Sequence, residues 1–168
     1  MNSTAAKFSI WLLLCSVAGC QGGLPVKKVV SGTVTKVHDG DSLHITPAGK
    51  KRVVVRLAAI DAPEIKQDHG LQSRDYLRSM VMDRNVTAHC NKIDKYRRQI
   101  CVVSHKDRDI NLAMLSAGYA WYYTAFKDEQ AKKQQRAYRK AEAKAQRDRM
   151  GLWQYNPVAP WIFRSQAQ

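Results

Sequence analysis

The sequence predicts an α+β fold, a small five-stranded β-barrel carrying three helices. Three observations predict it. Short segments of strand character recur five times between tight turns, a helical stripe separates the third from the fourth, and a charged, alanine-rich stretch follows a second helical stripe. Strands, then a helix, then strands joined by short loops suit one compact barrel better than alternating parallel units.

The first segment is read as an export signal, residues 1–19. Lys7 precedes the apolar run Phe8 to Ala18, too short for the roughly 20 residues that cross a bilayer as a helix. The run ends in Val17-Ala18-Gly19-Cys20, which resembles the lipobox of bacterial lipoproteins, where small residues admit the peptidase and the cysteine takes a lipid. An ordinary cleaved signal is the alternative. Either way the expectation is export from a bacterial cytoplasm, as a cell-envelope lipoprotein acylated at Cys20 or as a secreted protein. Residues 20–28, with Gln21-Gly22-Gly23-Leu24-Pro25, read as a flexible tether.

The folded domain is expected over residues 29–155, with 156–168 as a tail. Val30 to Val37 and Ser42 to Thr46 read as strands around the tight His38-Asp39-Gly40-Asp41 turn, and Pro47-Ala48-Gly49-Lys50 turns the chain into a third strand, Arg52 to Ile60. There Val53, Val55 and Leu57 alternate with Arg52, Val54 and Arg56, the period of a half-buried strand. Tyr76, Leu77, Met80 and Val81 form a helical stripe within Gly70 to Asp83. Asn85 to Asn91 and Arg98 to Ser104 return to strand around Asp94-Lys95-Tyr96-Arg97. Ile110, Ala113, Met114 and Ala117 then mark a second helix that Gly118 stops. A third helix is expected from Asp128 to Arg149, closed by Gly151, with Ala131, Tyr138, Ala141 and Ala145 as a narrow buried seam. Five strands with a helix after the third match the order of an OB-type barrel. Trp121 and Trp153 read as core, and Trp161 as a tail residue that folds back onto the barrel.

Charge names a class of partner. The chain carries 28 basic and 14 acidic residues, a net of +14. Such a surplus attracts polyanions, whether nucleic acid or an anionic membrane, or simply keeps a small protein soluble. Cysteine usage depends on compartment. With Cys15 in the leader and Cys20 at its end, Cys90 and Cys101 remain, on candidate neighbouring strands. They are either a disulfide, as an oxidising compartment favours, or buried free thiols. Neither Cys-x-x-Cys nor His-x-x-x-His occurs, so zinc spacing is missing, and His38, His44, His69, His89 and His105 read as surface or hydrogen-bonded residues.

The chemistry-bearing residues are Asp39-Gly40-Asp41-Ser42, then Arg56-Leu57-Ala58-Ala59-Ile60-Asp61-Ala62-Pro63-Glu64, then Asp94-Lys95-Tyr96-Arg97-Arg98. Singly each is weak, since Asp-Gly is a common turn and paired arginines are commonly solvated. Together they place carboxylates and arginines at strand ends that a small barrel gathers at one rim. In this combination the chain resembles the staphylococcal nuclease family, from about Val30 through Trp153. The family's Asp-Gly-Asp turn, Arg-Leu-x-x-Ile/Val-Asp-x-Pro-Glu strand and Asp-x-Tyr-x-Arg turn appear in order. The resemblance implies a calcium-dependent phosphodiesterase acting on DNA and RNA with little sequence preference, cutting the 5′ P–O bond to leave 3′-phosphate ends, and working as a monomer. It implies that Asp41, Asp61 and the backbone carbonyl of Ala62 ligate Ca2+, that Arg56 and Arg98 hold the phosphate, and that Glu64 serves as general base. Asp39 would support the metal ligands from behind or merely shape the turn. Tyr122 and Tyr123, with Phe126, fall where the family places aromatic residues near the nucleotide, and each either stacks on a base or packs in the core.

The chain departs from the pattern in three places. Ala62 replaces a common threonine, which matters little where the carbonyl is the ligand. Arg97 stands where glycine is usual, so a positive φ there costs about 1 kcal/mol, or else the turn is reshaped and the choice of Arg98 over Arg97 reopens. The loop before Asp94 is also shorter. Two other readings explain less. A barrel that binds nucleic acid without cutting it should lack several of these charged side chains, and a lipoprotein docking on anionic surfaces leaves the motifs unexplained.

Overall fold

A computed structural model of the protein describes residues 27–166. The export signal, Cys20 and all but the last residues of the tether lie outside the described residues. The strands are β1 (Lys28–Val37), β2 (Ser42–Thr46), β3 (Val53–Leu57), β4 (Ile60–Asp61), β5 (Asn85–Ile93), β6 (Gln99–His105), β7 (Arg108–Asp109) and β8 (Trp121–Tyr122). The helices are α1 (Gly70–Val81), α2 (Ile110–Ser116), α3 (Lys132–Arg147) and α4 (Pro160–Gln166).

Five strands form the barrel in the order β3-β2-β1-β5-β6, with antiparallel neighbours, and the parallel pairing of Val55–Leu57 with Gln99–Cys101 closes it. Register shifts at Val34/Lys36 and Cys90/Lys92 bend the long strands as closure requires. Alternate residues point inward: Val34, Leu43, Ile45, Val55, Leu57 and Val103 are essentially inaccessible. Each such side chain contributes roughly 1.5–3 kcal/mol by leaving water. Leu77 and Val81 of α1 and Met114 and Leu115 of α2 complete that core. Cys90 and Cys101 are directly opposed across β5 and β6 and joined by a disulfide.

Local chemistry fixes the helices. Asp109 caps α2 by accepting from the N–H of Leu112 at 2.9 Å, and the buried Tyr138 hydroxyl donates to the same carboxylate at 2.9 Å, tying α3 to α2. The expected third strand is interrupted: it ends at Leu57, turns through Ala59 at φ 59°, and resumes as β4, which pairs with β8. The third helix starts at Lys132 because Gln130 is held extended, its side-chain oxygen accepting from Tyr122 and its carbonyl from Gln135. Of the expected seam, Tyr138 and Ala145 are buried and Gln135 joins them, whereas Ala131 and Ala141 are half-buried. The fourth helix, α4, lies in the tail. Trp121, Leu152 and Ala159 form a second small core beneath it, with Trp153 half-buried against them.

Candidate active site

The site begins at the β1–β2 turn. Asp39 folds the turn locally, its Oδ1 accepting from the N–H of Asp41 at 3.0 Å. Gly40 lets the turn press inward: a Cβ there would lie 1.9 Å from Ser73 Oγ and 2.7 Å from Ala62 Cβ. Asp41 therefore enters the rim beside β3, where Ser42 pairs with Arg56 and the N–H of Leu57 donates to the Asp41 carbonyl.

Both Asp41 oxygens are engaged. Oδ1 accepts from Ser42 Oγ at 2.9 Å, and Oδ2 accepts from the N–H of Ala62 at 2.9 Å while Arg56 Nη1 stands 2.5 Å away, off the hydrogen-bond axis. Arg56 Nη2 donates to Asp61 Oδ1 at 2.9 Å, so one guanidinium separates two buried carboxylates. Burial tends to raise Asp41, but Arg56, Ala62 and Ser42 together hold it below the ordinary carboxylate range. Burial likewise opposes the Arg56 charge, yet Asp41 and Asp61 keep it protonated well above its usual value. Burial pushes Asp61 up, with Arg164 pulling against it. Asp39 is pushed up to about 7, first by burial and then by the charge of Asp41.

Glu64 lies on the loop that leads into α1. Gly70 allows this loop to lie against the helix start, since a Cβ there would meet the Glu64 carbonyl oxygen at 2.0 Å. Buried Gln67 holds the loop, its Oε1 accepting from the Glu64 N–H at 3.2 Å and its Nε2 donating to the Val158 carbonyl at 2.6 Å. On the opposite wall, Asp94 organises the β5–β6 turn, accepting from the backbone of Tyr96 and Arg98 and from Arg98 Nε at 2.7 Å. These bonds outweigh partial burial and hold Asp94 below its ordinary range. Arg98 Nη1 reaches toward Ser42 Oγ at 3.4 Å, which links it to Asp41. Arg97 takes φ 65°, so its residue type is strained in a turn that keeps the glycine conformation, and Arg98 is the arginine directed into the cleft.

Asp41, Arg56, Asp61, Ala62, Glu64 and Arg98 thus line one open cleft of about 1060 Å³, whose walls also include Asp39, Tyr96, Tyr123 and Phe126. Tyr122 is not among them: it is 5 % exposed, its hydroxyl is bonded to Gln130, and its ring meets Tyr138 edge-on. Of the two readings of Tyr122 the nucleotide contact is corrected to core packing, because this β8 residue is held inward against Tyr138 and Gln130, whereas Tyr123, just past the strand, lines the cleft. A separate depression of about 650 Å³, lined by Ser31, Thr33, Thr46, Asn85 and Thr87 among others, contains none of the site residues.

Sequence reading missed three contributors. Arg164, on α4, donates from Nη2 to Asp61 Oδ2 at 2.7 Å and from Nη1 to Glu64 Oε1 at 2.8 Å and Asp61 Oδ1 at 3.3 Å. Gln67 is the second. The third is Asn111, fully buried, whose Nδ2 donates to the carbonyls of Ala58 and Cys101 and whose Oδ1 accepts from Val103, fixing the segment after Arg56. Only the apolar residues before Arg164 hinted that the tail docks.

A hard divalent cation suits this donor set in kind. Asp41 and Asp61 offer only oxygen, and Asp39 and Glu64 flank them. Among the described residues no group of three or more His, Cys, Asp or Glu side chains forms a ready metal cluster. A cation here would draw on Asp41 and Asp61, whose oxygens now accept from Ser42, Ala62, Arg56 and Arg164, and would complete its shell from carbonyl and water.

Residues 54–155 match the family described as staphylococcal nuclease homologue. The chain is 37% identical over 134 residues to an uncharacterized endonuclease of Haemophilus influenzae, covering 79% of this chain and 72% of that protein. It is 34% identical over 137 residues to an uncharacterized endonuclease of Escherichia coli O157:H7, covering 80% and 85%. It is also 31% identical over 153 residues to protein ParB of Escherichia coli, covering 85% and 84%.

Proposed function

Because the chain belongs to the staphylococcal nuclease homologue family, we propose that it is a nuclease that hydrolyses phosphodiester bonds of DNA and RNA in a calcium-dependent way, with little sequence preference and 3′-phosphate products. The observation that carries this reading is the convergence of Asp41, Arg56, Asp61, Glu64 and Arg98 on one cleft. The net charge of +14 supports it by drawing a polyanion toward that cleft.

Asp41 and Asp61, with the Ala62 carbonyl, would hold the cation, which when bound offsets negative charge gathering on the phosphate oxygens. The protein's own groups do the rest. Arg98, steered by Asp94, presents a planar fork to the phosphate, and charge-assisted bonds of this kind strengthen as charge accumulates. Arg56 holds Asp41 ionised, works against the rise at Asp61, and offers the phosphate its field at short range. Glu64, half-buried at the cleft edge, accepts the proton of the attacking water, an effect typically worth about 10²–10⁴-fold. Tyr123 stands where a base can lie against it. Asp39 holds the turn.

The same reading includes export by the leader, with Cys20 either acylated in the cell envelope or left behind a simple cleavage, and a monomer in solution. The Cys90–Cys101 disulfide is consistent with an oxidising compartment. Digestion of plasmid DNA and of RNA, with calcium and with chelator, tests the activity. Glu64→Gln should lower turnover about 10²–10⁴-fold with its melting temperature unchanged, and Arg98→Ala should lower it comparably. Undiminished turnover in either variant rejects the assigned roles, and calcium-independent binding without cleavage would mark a binding module instead.

A further inference from the structure

We propose that α4 is a substrate-binding element, in which Arg164 contacts the phosphate chain and Trp161, beside Tyr123, gives a stacking face to a base of single-stranded nucleic acid. The proposal rests on the nuclease reading and adds to it a segment beyond residue 155, where the family match ends.

The helix is built into the site at its root. Ala159 and Pro160 are buried, and the Trp161 ring lies edge-on to Trp121 with centroids 6.5 Å apart. Gln67 joins the Val158 carbonyl to the Glu64 N–H, so the start of the tail and the loop of the candidate base move as one unit. Trp161 and Arg164 are three residues apart and share a face of the helix. Arg164 lines the cleft, and Trp161 stands beside it against Tyr123.

Availability of the arginines decides the phosphate role. Arg56 is 17% exposed and lies between Asp41 and Asp61, with Nη2 bonded to Asp61 and Nη1 buried against Asp41. The guanidinium groups of the cleft that solvent reaches more freely are Arg98 at 27% and Arg164 at 41%. Arg164 makes its carboxylate contacts through Nη1 and Nη2, which leaves Nε and the outward N–H bonds for an anion. A phosphate gripped there sits next to Glu64, because the same guanidinium touches both. Two forks then line the same cleft, one fixed by Asp94 and one by Asp61 and Glu64.

The aromatic rings supply the second contact. The Tyr123 ring is 5.9 Å from Trp161 and 5.9 Å from Phe126, and Trp161 and Phe126 are 40% and 50% exposed. A strip of partly exposed rings beside a cleft that holds Arg98 and Arg164 fits unpaired bases, whose faces are free, better than a duplex, whose bases stack on one another.

The test is fluorescence anisotropy with the full mature chain in chelator, so that Glu64 stays in place, using labelled oligothymidylate of about ten nucleotides and an abasic oligomer of the same length. Trp161→Ala should weaken the oligothymidylate about tenfold and leave the abasic oligomer unchanged. Arg164→Ala should weaken both about tenfold, and Arg164→Lys should recover part of the loss. Trp161→Leu preserves the apolar contact with Trp121 and should behave as Trp161→Ala does, which separates stacking from folding. Equal weakening of both probes by the tryptophan variants, or unchanged or tighter binding by Arg164→Ala, overturns the proposal, the latter outcome making α4 a cover over the acids. Failure of the wild-type protein to cleave in calcium would count against the nuclease reading alone, since these affinities are read without turnover.

Discussion

Asp61 is approached by two arginines that differ in almost every respect. Arg56 comes from beneath, five residues away in the chain, is 17% exposed and bridges Asp61 to Asp41. Arg164 comes from above, more than one hundred residues away, is 41% exposed and bridges Asp61 to Glu64. The lower side is interior: desolvated charges fixed by a hairpin, where removing one partner strands another. The upper side is surface: a side chain that water can replace, on a helix whose root alone is buried. Stability resides below and adaptability above, and the same carboxylate serves both.

The sharpest way to break this comparison is to delete each arginine. Arg56→Ala leaves Asp41 and Asp61 buried without their shared cation and should cost about 3–5 kcal/mol in denaturant unfolding. Arg164→Ala should cost about 1 kcal/mol or less, because half-exposed pairs are screened and Arg56 still serves Asp61. Equal losses would erase the distinction. Gly40→Ala probes the lower side without touching charge: its methyl would overlap Ser73 Oγ, so a loss of about 1–3 kcal/mol is expected, with the apparent cation affinity falling as Asp41 is displaced.

Smaller effects refine the picture. Arg97→Gly relieves a left-handed backbone on the exposed wall and should stabilise by about 0.5 kcal/mol, since glycine also gains freedom when unfolded. Asp39→Asn should separate from the parent by pH. The Asp39 carboxyl rises from an ordinary 3.8 to about 7 in the folded chain, so the native state holds the extra proton between those values and stability falls as pH rises through them. The asparagine variant, which cannot lose that proton, should melt alongside the parent near pH 4 and above it at pH 8 in chelator. Parallel melting curves across that range would remove Asp39 from the buried charge balance.

Legibility in the sequence follows the same division. Asp39-Gly40-Asp41 and Arg56 through Glu64 were readable because each motif is local and the β2–β3 hairpin brings one to the other with a fixed register. Arg98 over Arg97 was readable by counting, and the turn keeps its shape despite the arginine at positive φ. Tyr122 and Tyr123 were not distinguishable, since adjacent aromatic residues differ only in which side of a short strand they face. Gln67, Asn111 and Arg164 carried no local signal. A glutamine before a helix, an asparagine inside one and an arginine near the chain end look like ordinary polar residues until folding buries or docks them.

By itself the sequence determined the barrel and the acids and arginines of its rim, and it put Cys90 and Cys101 on neighbouring strands while leaving open whether they bond. Periodicity and turn chemistry act over a few residues, so they can be read from a few residues. Only the tertiary structure decided that α4 exists, that the expected return of Trp161 ends edge-on to Trp121 with Ala159 buried at the root, and that the helix lays Arg164 across Asp61 and Glu64. Contacts between segments one hundred residues apart depend on the shape of the whole surface, and no short pattern encodes that shape.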